Sequence, residues 1–331
     1  MAEFEPHPLL RNRHLMTMVP AFIPRTTFQY QGFEHIFEVN DEAKLLAYCH
    51  VNKTREAQAT LLIVHGLEGC SESPYVLGLT MKAIEAGLNV VRMNLRNCGG
   101  TLHLTKTLYN AGQSADVISI AKQLKTQMGF RNIFAVGFSL GGNIVLKAAG
   151  EMGEQGSSVF SGVCAVSPSI DLAACVDVIS RGMNRIYELR FLKGLIAKIK
   201  AKEALFPGRY DVERLPTIKT IRQFDDVYTA PDGGYGNADT YYRKASAIRC
   251  MDSIRVPALI ITAMDDPIVP FTSFAHDSWQ NPAIKLLAPR YGGHGGFYSR
   301  HPEIFSGDWH DNFWAEHRIV GFCLSKEVLR D

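Results

Sequence analysis

The stretch Gly137-Phe138-Ser139-Leu140-Gly141-Gly142 constrains the fold more than any other part of the chain. Ahead of it, Asn132-Ile133-Phe134-Ala135-Val136 is short, apolar and β-prone; behind it, Asn143-Ile144-Val145-Leu146-Lys147-Ala148-Ala149 reads as helix. A strand therefore enters a helix through a turn with glycine two places before the serine and two places after it. Such a turn strains the serine backbone and lifts its hydroxyl clear of the sheet, and only glycine tolerates the crowding at the flanks. The helix beneath adds free N–H groups and the positive end of its dipole. Ser139 is thus a candidate nucleophile on an α/β framework.

The surrounding chain repeats the alternation. Phe33–Val39 and Leu45–Val51 flank Asn40-Asp41 and predict an opening antiparallel hairpin. Strand Thr60–His65, helix Tyr75–Ala86, strand Asn89–Met93, helix Gln113–Gln127, strand Asn132–Gly137, helix Gly141–Glu154 and strand Gly162–Ser167 follow. The rhythm resumes with strand Ala258–Thr262, helix Thr272–Trp279, strand Ile284–Leu287 and a final helix over His310–Ser325. Strands separated by helices imply right-handed crossovers and a mostly parallel central sheet flanked by helices. Residues 171–253 break the pattern and read as a mostly helical cap insertion. Residues 29–170 and 254–331 then form the core, with 1–28 a segment packing on it. Within the insertion, Tyr187–Phe206 predicts a helix with Leu189, Leu192, Ile196 and Ile199 on one face and Lys193, Lys198, Lys200 and Lys202 elsewhere. We expect it to pack on the core rather than to lie on a membrane.

Composition narrows the function. The 331 residues are 46% hydrophobic, enough for a large core, and 35 Lys+Arg against 33 Asp+Glu leave a net charge of +2. No global field recruits nucleic acid. Seven cysteines without Cys-x-x-Cys spacing suit free thiols in a reducing compartment, not a disulfide framework or zinc site. The acidic, proline-broken start lacks a signal peptide's apolar core, and no apolar run approaches membrane-spanning length. The expectation is a cytoplasmic protein with no integral membrane segment and no cofactor. His310 and His317 are spaced as on one helical face but lack a third ligand, so no metal is expected either.

A serine needs a base, and the base an orienting acid. In parallel sheets such groups gather beyond the carboxyl ends of strands. Asp265-Asp266-Pro267 follows one late strand, and Gly293-His294-Gly295-Gly296 follows the next. We assign Ser139 as nucleophile, His294 as base and Asp266 as its acid, with Asp265 the alternative. The negative oxygen of a tetrahedral intermediate needs donors. His65-Gly66-Leu67-Glu68-Gly69 follows the first central strand, so the N–H groups of Leu67 and Leu140 are assigned to that oxyanion hole. His65 itself reads as a hydrogen-bonding loop organiser. Asn97-Cys98-Gly99-Gly100 lacks the lysine of a phosphate loop.

Across nearly its whole length the chain resembles the YheT-like branch of the α/β-hydrolases. The resemblance rests on Pro8-Leu9-Leu10-Arg11-Asn12-Arg13-His14-Leu15-Met16-Thr17, on the His65, Ser139, Asp265 and His294 segments above, on Phe224-Asp225-Asp226, and on Tyr241-Tyr242-Arg243-Lys244-Ala245-Ser246. It departs from the branch at Arg96-Asn97-Cys98, where Arg-Gly-Cys is usual, and at Tyr109-Asn110-Ala111-Gly112, where Tyr-His-Ser-Gly is usual. The resemblance implies an α/β-hydrolase fold, a charge relay on Ser139, Asp266 and His294, and hydrolysis of carboxylic esters with short- to medium-chain acyl or lipid-like groups. An acyltransferase or thioesterase on the same residues is the alternative enzyme, and a non-catalytic binding protein the alternative class.

Overall fold

The computed structural model describes residues 3–23, 25, 32–52, 59–274, 281–304 and 310–325. Its main sheet is built from β1 (Phe33–Asn40), β2 (Ala43–His50), β3 (Thr60–Val64), β4 (Asn89–Met93), β5 (Ile133–Phe138), β6 (Gly162–Val166), β7 (Ala258–Ile261) and β8 (Ile284–Leu287). They lie in the order β1-β2-β4-β3-β5-β6-β7-β8. β1 pairs antiparallel with β2, and β2 with β4; all the other pairs are parallel. The central strands are covered on both faces, which explains why they read as unbroken apolar runs.

Alternate residues of each strand serve different cores. Leu62, Val64, Ala135 and Ala165 face α3 (Ser114–Thr126) and α4 (Leu140–Met152), with Ile120, Leu124, Ile144 and Val145. Leu61, Ile63, Phe134 and Val136 face α2 (Pro74–Glu85) and α8 (Trp314–Cys323), with Val76, Leu79, Ile319 and Val320. Between β6 and β7 the chain forms α5 (Leu172–Ile179), α6 (Arg185–Leu205), α7 (Ala238–Ala245) and short helical turns. α6 packs through Leu192, Leu195 and Ile199, whereas Leu189 is 54% exposed. Leu189 was expected on the apolar face; at 3.6 residues per turn it falls on that face's edge, and Leu195 takes the central place.

Three expectations need correction. The predicted final helix begins at Trp314, because His310–Phe313 forms a strand, β10, paired antiparallel with β9 (Tyr298–Ile304). Of the predicted helix Thr272–Trp279, Phe271–Ser273 forms one 3₁₀ turn, and residues 275–279 lie outside the described residues. His310 and His317 therefore share no helix; His317 Nε2 instead lies 2.8 Å from an Asp311 carboxylate oxygen.

The N-terminal segment is tied to this ribbon and to the loop before it. Pro6 bridges Ser299, and the His7 N–H donates to Tyr298 O at 3.0 Å. Helix α1 (Arg13–Met18), capped by Asn12, then lies against residues 292–296. A side chain at Gly296 would come within 1.9 Å of Met16 O. Residues 1, 2, 24 and 26–28 of the expected segment lie outside the described residues. Of the seven cysteines all are free, five of them buried.

Candidate active site

Sheet register assembles the site. Val64 pairs with Gly137, Phe138 with Val166, Val166 with Ile261, and Ile261 with Leu287. The loops that follow β3, β5, β7 and β8 therefore leave the sheet side by side at its carboxyl edge.

Ser139 caps α4 with φ +52° and ψ −115°, a conformation that costs a non-glycine residue about 1–3 kcal/mol. The turn is held from both sides: Ser139 N–H donates to Val166 O at 2.8 Å, and its carbonyl accepts from Asn143 N–H at 3.1 Å. A Cβ at Gly137 would come within 2.1 Å of Gly141 O, and one at Gly141 within 2.4 Å of Val64 O. Both glycines are thus required by close backbone approach. Asn143, fully buried one turn on, donates to Ala111 O and Ala245 O and accepts from Ala247 N–H. It ties the turn to segments about 32 and 102 residues away along the chain.

Ser139 Oγ lies 2.9 Å from His294 Nε2, and His294 Nδ1 lies 2.9 Å from Asp266 Oδ2. The Asp266 side chain is fully buried, and its other oxygen accepts the N–H groups of Ile268 and Val269 at 2.8 and 2.9 Å. Asp265 points elsewhere, accepting Gly293 N–H at 2.9 Å, and burial pushes its carboxyl up. Of the adjacent acids, then, Asp266 meets the histidine ring and Asp265 holds its loop. Thr17 Oγ1 accepts the His294 N–H at 2.9 Å while donating to Arg13 O. Sequence reasoning missed this residue, for nothing local in α1 marks a contact 277 positions away.

The turn after β3 abuts the serine: a Cβ at Gly66 would lie 3.2 Å from Ser139 Cβ. In that turn Gly66 N–H donates to Tyr75 OH at 3.0 Å and Glu68 N–H to Tyr109 OH at 3.1 Å. The N–H of Leu67 lies between these two, and Leu140 opens the helix as its first residue. Tyr109 OH donates back to Glu68 Oε1 at 2.6 Å, and Lys198 of α6 reaches the same oxygen at 2.8 Å. Glu68, at φ +55°, thus joins the turn after β3 to α6. His65 is fully buried; its Nδ1 lies 2.8 Å from Gly66 O and its Nε2 accepts Leu95 N–H at 3.0 Å. Burial lowers its pKa to about 4, so at neutral pH it is an uncharged organiser of the loop. Asn97, where the resemblance leads one to expect glycine, adopts φ +63°, which asparagine tolerates.

Two cavities meet at Ser139. One, of about 90 Å³, lies under the cap, lined by Phe191, Leu195, Leu172, Val176, Ile179 and Ile221 among others. Asp225 and Tyr242 close its wall, joined at 2.7 Å, and burial pushes the Asp225 carboxyl up to about 6. The second, about 380 Å³, lies between the N-terminal segment and α6, lined by Thr17, Phe22, Arg25, Tyr187, Arg190 and His294 among others. Ser139, Leu67, Phe191 and Ile268 border both; His294 borders only the larger. Among the described residues no group of three His, Cys, Asp or Glu side chains could hold a metal ion.

Comparison with known proteins agrees with this architecture. A family model of the alpha/beta hydrolase fold matches residues 59–300. The Escherichia coli (strain K12) protein YheT is 30% identical over 321 residues, 96% of this chain and 92% of that protein. A Saccharomyces cerevisiae protein named monoacylglycerol lipase is 30% identical over 73% of this chain and 56% of its own length. Among solved structures, the Pyrococcus furiosus esterase Pf2001 superposes with a TM-score of 0.57 at 15% identity, over 91% of this chain and 96% of that one. Est1E from Butyrivibrio proteoclasticus, solved with ferulic acid bound, gives 0.53 at 18% identity, over 88% and 98%. These two likenesses concern the fold alone. The chain belongs to the α/β-hydrolase fold family, within its YheT-like branch.

Proposed function

We propose that this protein is a serine hydrolase that cleaves carboxylic esters through an acyl-enzyme on Ser139. The observation that carries the reading is the continuous chain Ser139 Oγ, His294 Nε2, His294 Nδ1 and Asp266 Oδ2, with 2.9 Å at each hydrogen bond. His294 takes the hydroxyl proton as Oγ attacks the ester carbon, and Asp266 stabilises the imidazolium. The N–H groups of Leu67 and Leu140 receive the oxyanion. His294 then protonates the departing alcohol, and water repeats the sequence to release the acid.

The two cavities support one direction for the substrate. The group that protonates the alcohol must reach it, and His294 borders the larger cavity only. The alcohol therefore occupies the larger cavity and the acyl chain the apolar one under the cap. Relatives named monoacylglycerol lipase and medium-chain fatty acid ethyl ester synthase/esterase 2, both of Saccharomyces cerevisiae, support ester chemistry on an apolar acyl group. The second name favours one further reading, transfer of the acyl group to an alcohol, which product analysis with added ethanol separates from hydrolysis.

The test is Ser139→Ala. Labelling by a fluorophosphonate should vanish, and turnover of p-nitrophenyl butyrate should fall at least about 10³-fold, as expected of triad members acting as a unit. A purified variant retaining more than a tenth of the wild-type rate rejects the proposal.

A further inference from the structure

The mouth of the larger cavity carries an apolar and cationic surface that ester chemistry alone does not require. Phe22 stands at this mouth from one side, 77% exposed, and Arg190 from the other. The sides are joined beneath by His14, whose Nδ1 lies 3.0 Å from Tyr187 OH, the two rings stacked at 5.9 Å. On the same stretch of α6 and the turn before it, Met183, Ile186 and Leu189 are 74%, 59% and 54% exposed. Leu15, next to His14, is 43% exposed. Single exposed apolar residues are ordinary; five large ones on the two segments that flank one cavity are not.

Charge surrounds them with one sign. Arg181, Arg185, Arg190 and Lys193 are all exposed, and none makes a salt bridge to a carboxylate among the described residues. The acid in this stretch of α6, Glu188, is fully buried, taken up by Ser180 and Ile221. A chain of net charge +2 thus concentrates cations where it exposes apolar side chains. Ile186, Leu189, Arg190 and Lys193 follow the i, i+3, i+4, i+7 spacing of a single helix face. That face turns away from the one packing through Leu192, Leu195 and Ile199, with Leu189 at the border between them, so α6 packs inward and is separately suited to an interface outward.

We infer that this mouth docks on an anionic lipid bilayer, with Met183, Ile186 and Leu189 entering the headgroup layer and the arginines and Lys193 meeting lipid phosphates. An apolar protein partner would explain the five apolar residues but not the one-signed ring of charge; a bilayer with acidic headgroups answers both. That docking serves to deliver an acyl chain to Ser139 rests on the function proposed above. The docking itself does not.

The experiment therefore uses the Ser139→Ala protein, which binds without turning over. Co-sedimentation with phosphatidylcholine vesicles containing 30% phosphatidylglycerol should show binding that weakens as NaCl rises. Ile186→Asp/Leu189→Asp and, separately, Arg185→Glu/Lys193→Glu should each weaken it at least tenfold. In protein that retains Ser139, neither pair should change hydrolysis of soluble p-nitrophenyl acetate, since none of the four residues borders either cavity or touches the triad. Equal binding to pure phosphatidylcholine, or binding indifferent to both pairs, overturns the inference. So does a concentration-dependent dimer in sedimentation that the same substitutions abolish, since the face would then belong to a second copy.

Discussion

Asp265 and Asp266 are neighbours with the same side chain and different work. Asp266→Asn leaves an amide where the imidazolium needs a carboxylate, and its effect on kcat should approach the 10³–10⁴-fold loss known for mis-set triads. Asp265→Asn removes only the charge that accepts Gly293 N–H at 2.9 Å. Its effect should stay within about tenfold, because the amide oxygen can accept the same bond. Steady-state kinetics on the two variants checks both; a larger loss at Asp265 would reassign the acid. From sequence the choice was open, since both residues precede Pro267 and both follow β7. What decides it is a rotation of one residue along the backbone, invisible in residue type. Ser139 and His294 were legible because motif and chain order each single out one position. Thr17 and Asn143 were not: each acts through hydrogen bonds to residues distant in sequence, with no local pattern.

At the scale of elements, strands and crossover helices were readable because their apolar periodicity is dictated by the sheet they cover. The β9–β10 ribbon was not, because His310-Asp311-Asn312-Phe313 has little strand propensity and is held in place by pairing. Cap residues divide in the same way. Helical spacing marked Leu189, Leu192, Ile196 and Ile199 as one face, yet none of them borders the cavity under the cap, which Phe191 and Leu195 line instead; Leu192 packs in the core. Leu195→Ala should therefore move the optimum of kcat/KM to longer acyl chains and weaken the best original substrate by up to about 0.8 kcal/mol per lost methylene contact. Leu192→Ala should instead lower Tm and leave the chain-length profile in place. A series of p-nitrophenyl esters from acetate to decanoate, run beside thermal melts, distinguishes these outcomes. Identical profiles for wild type and Leu195→Ala would remove the acyl chain from this cavity.

For the whole molecule, the buried charges set the acid limit of stability. Lys82 is fully buried between Asp311 and Glu316, 2.7 Å from the latter, and joins α2 to the C-terminal elements. Burial raises the Asp311 carboxyl, but His317 and Lys82 outweigh it and hold the pKa at about 2, below the ordinary 3.8. A depressed carboxylate contributes stability above its unfolded pKa and loses it as pH falls from about 4 to 2. The contribution is about 2 kcal/mol. Neutral buried His50 and His65, both lowered by burial to about 4, are lost earlier, as pH falls from 6.5 to 4, because the unfolded chain takes up those protons first. Urea unfolding across pH 7 to 2 should thus show stability declining in two stages. Asp311→Asn should lower stability at pH 7 and flatten the second stage alone; a second stage of unchanged slope would place the linkage elsewhere.

The bond from His294 to Thr17 has a consequence for how the enzyme comes into being. A ribosome makes helix α1 before every strand of the main sheet, and the loop that α1 clasps emerges 277 residues later. At the usual pace of synthesis that interval is on the order of tens of seconds. Throughout it, a six-residue helix too short to persist alone waits without its partner, while strands β2 to β7 are already able to assemble. The histidine that meets Ser139 is then held by a helix made long before the loop it clasps, so this contact closes only after the sheet between them has been synthesised.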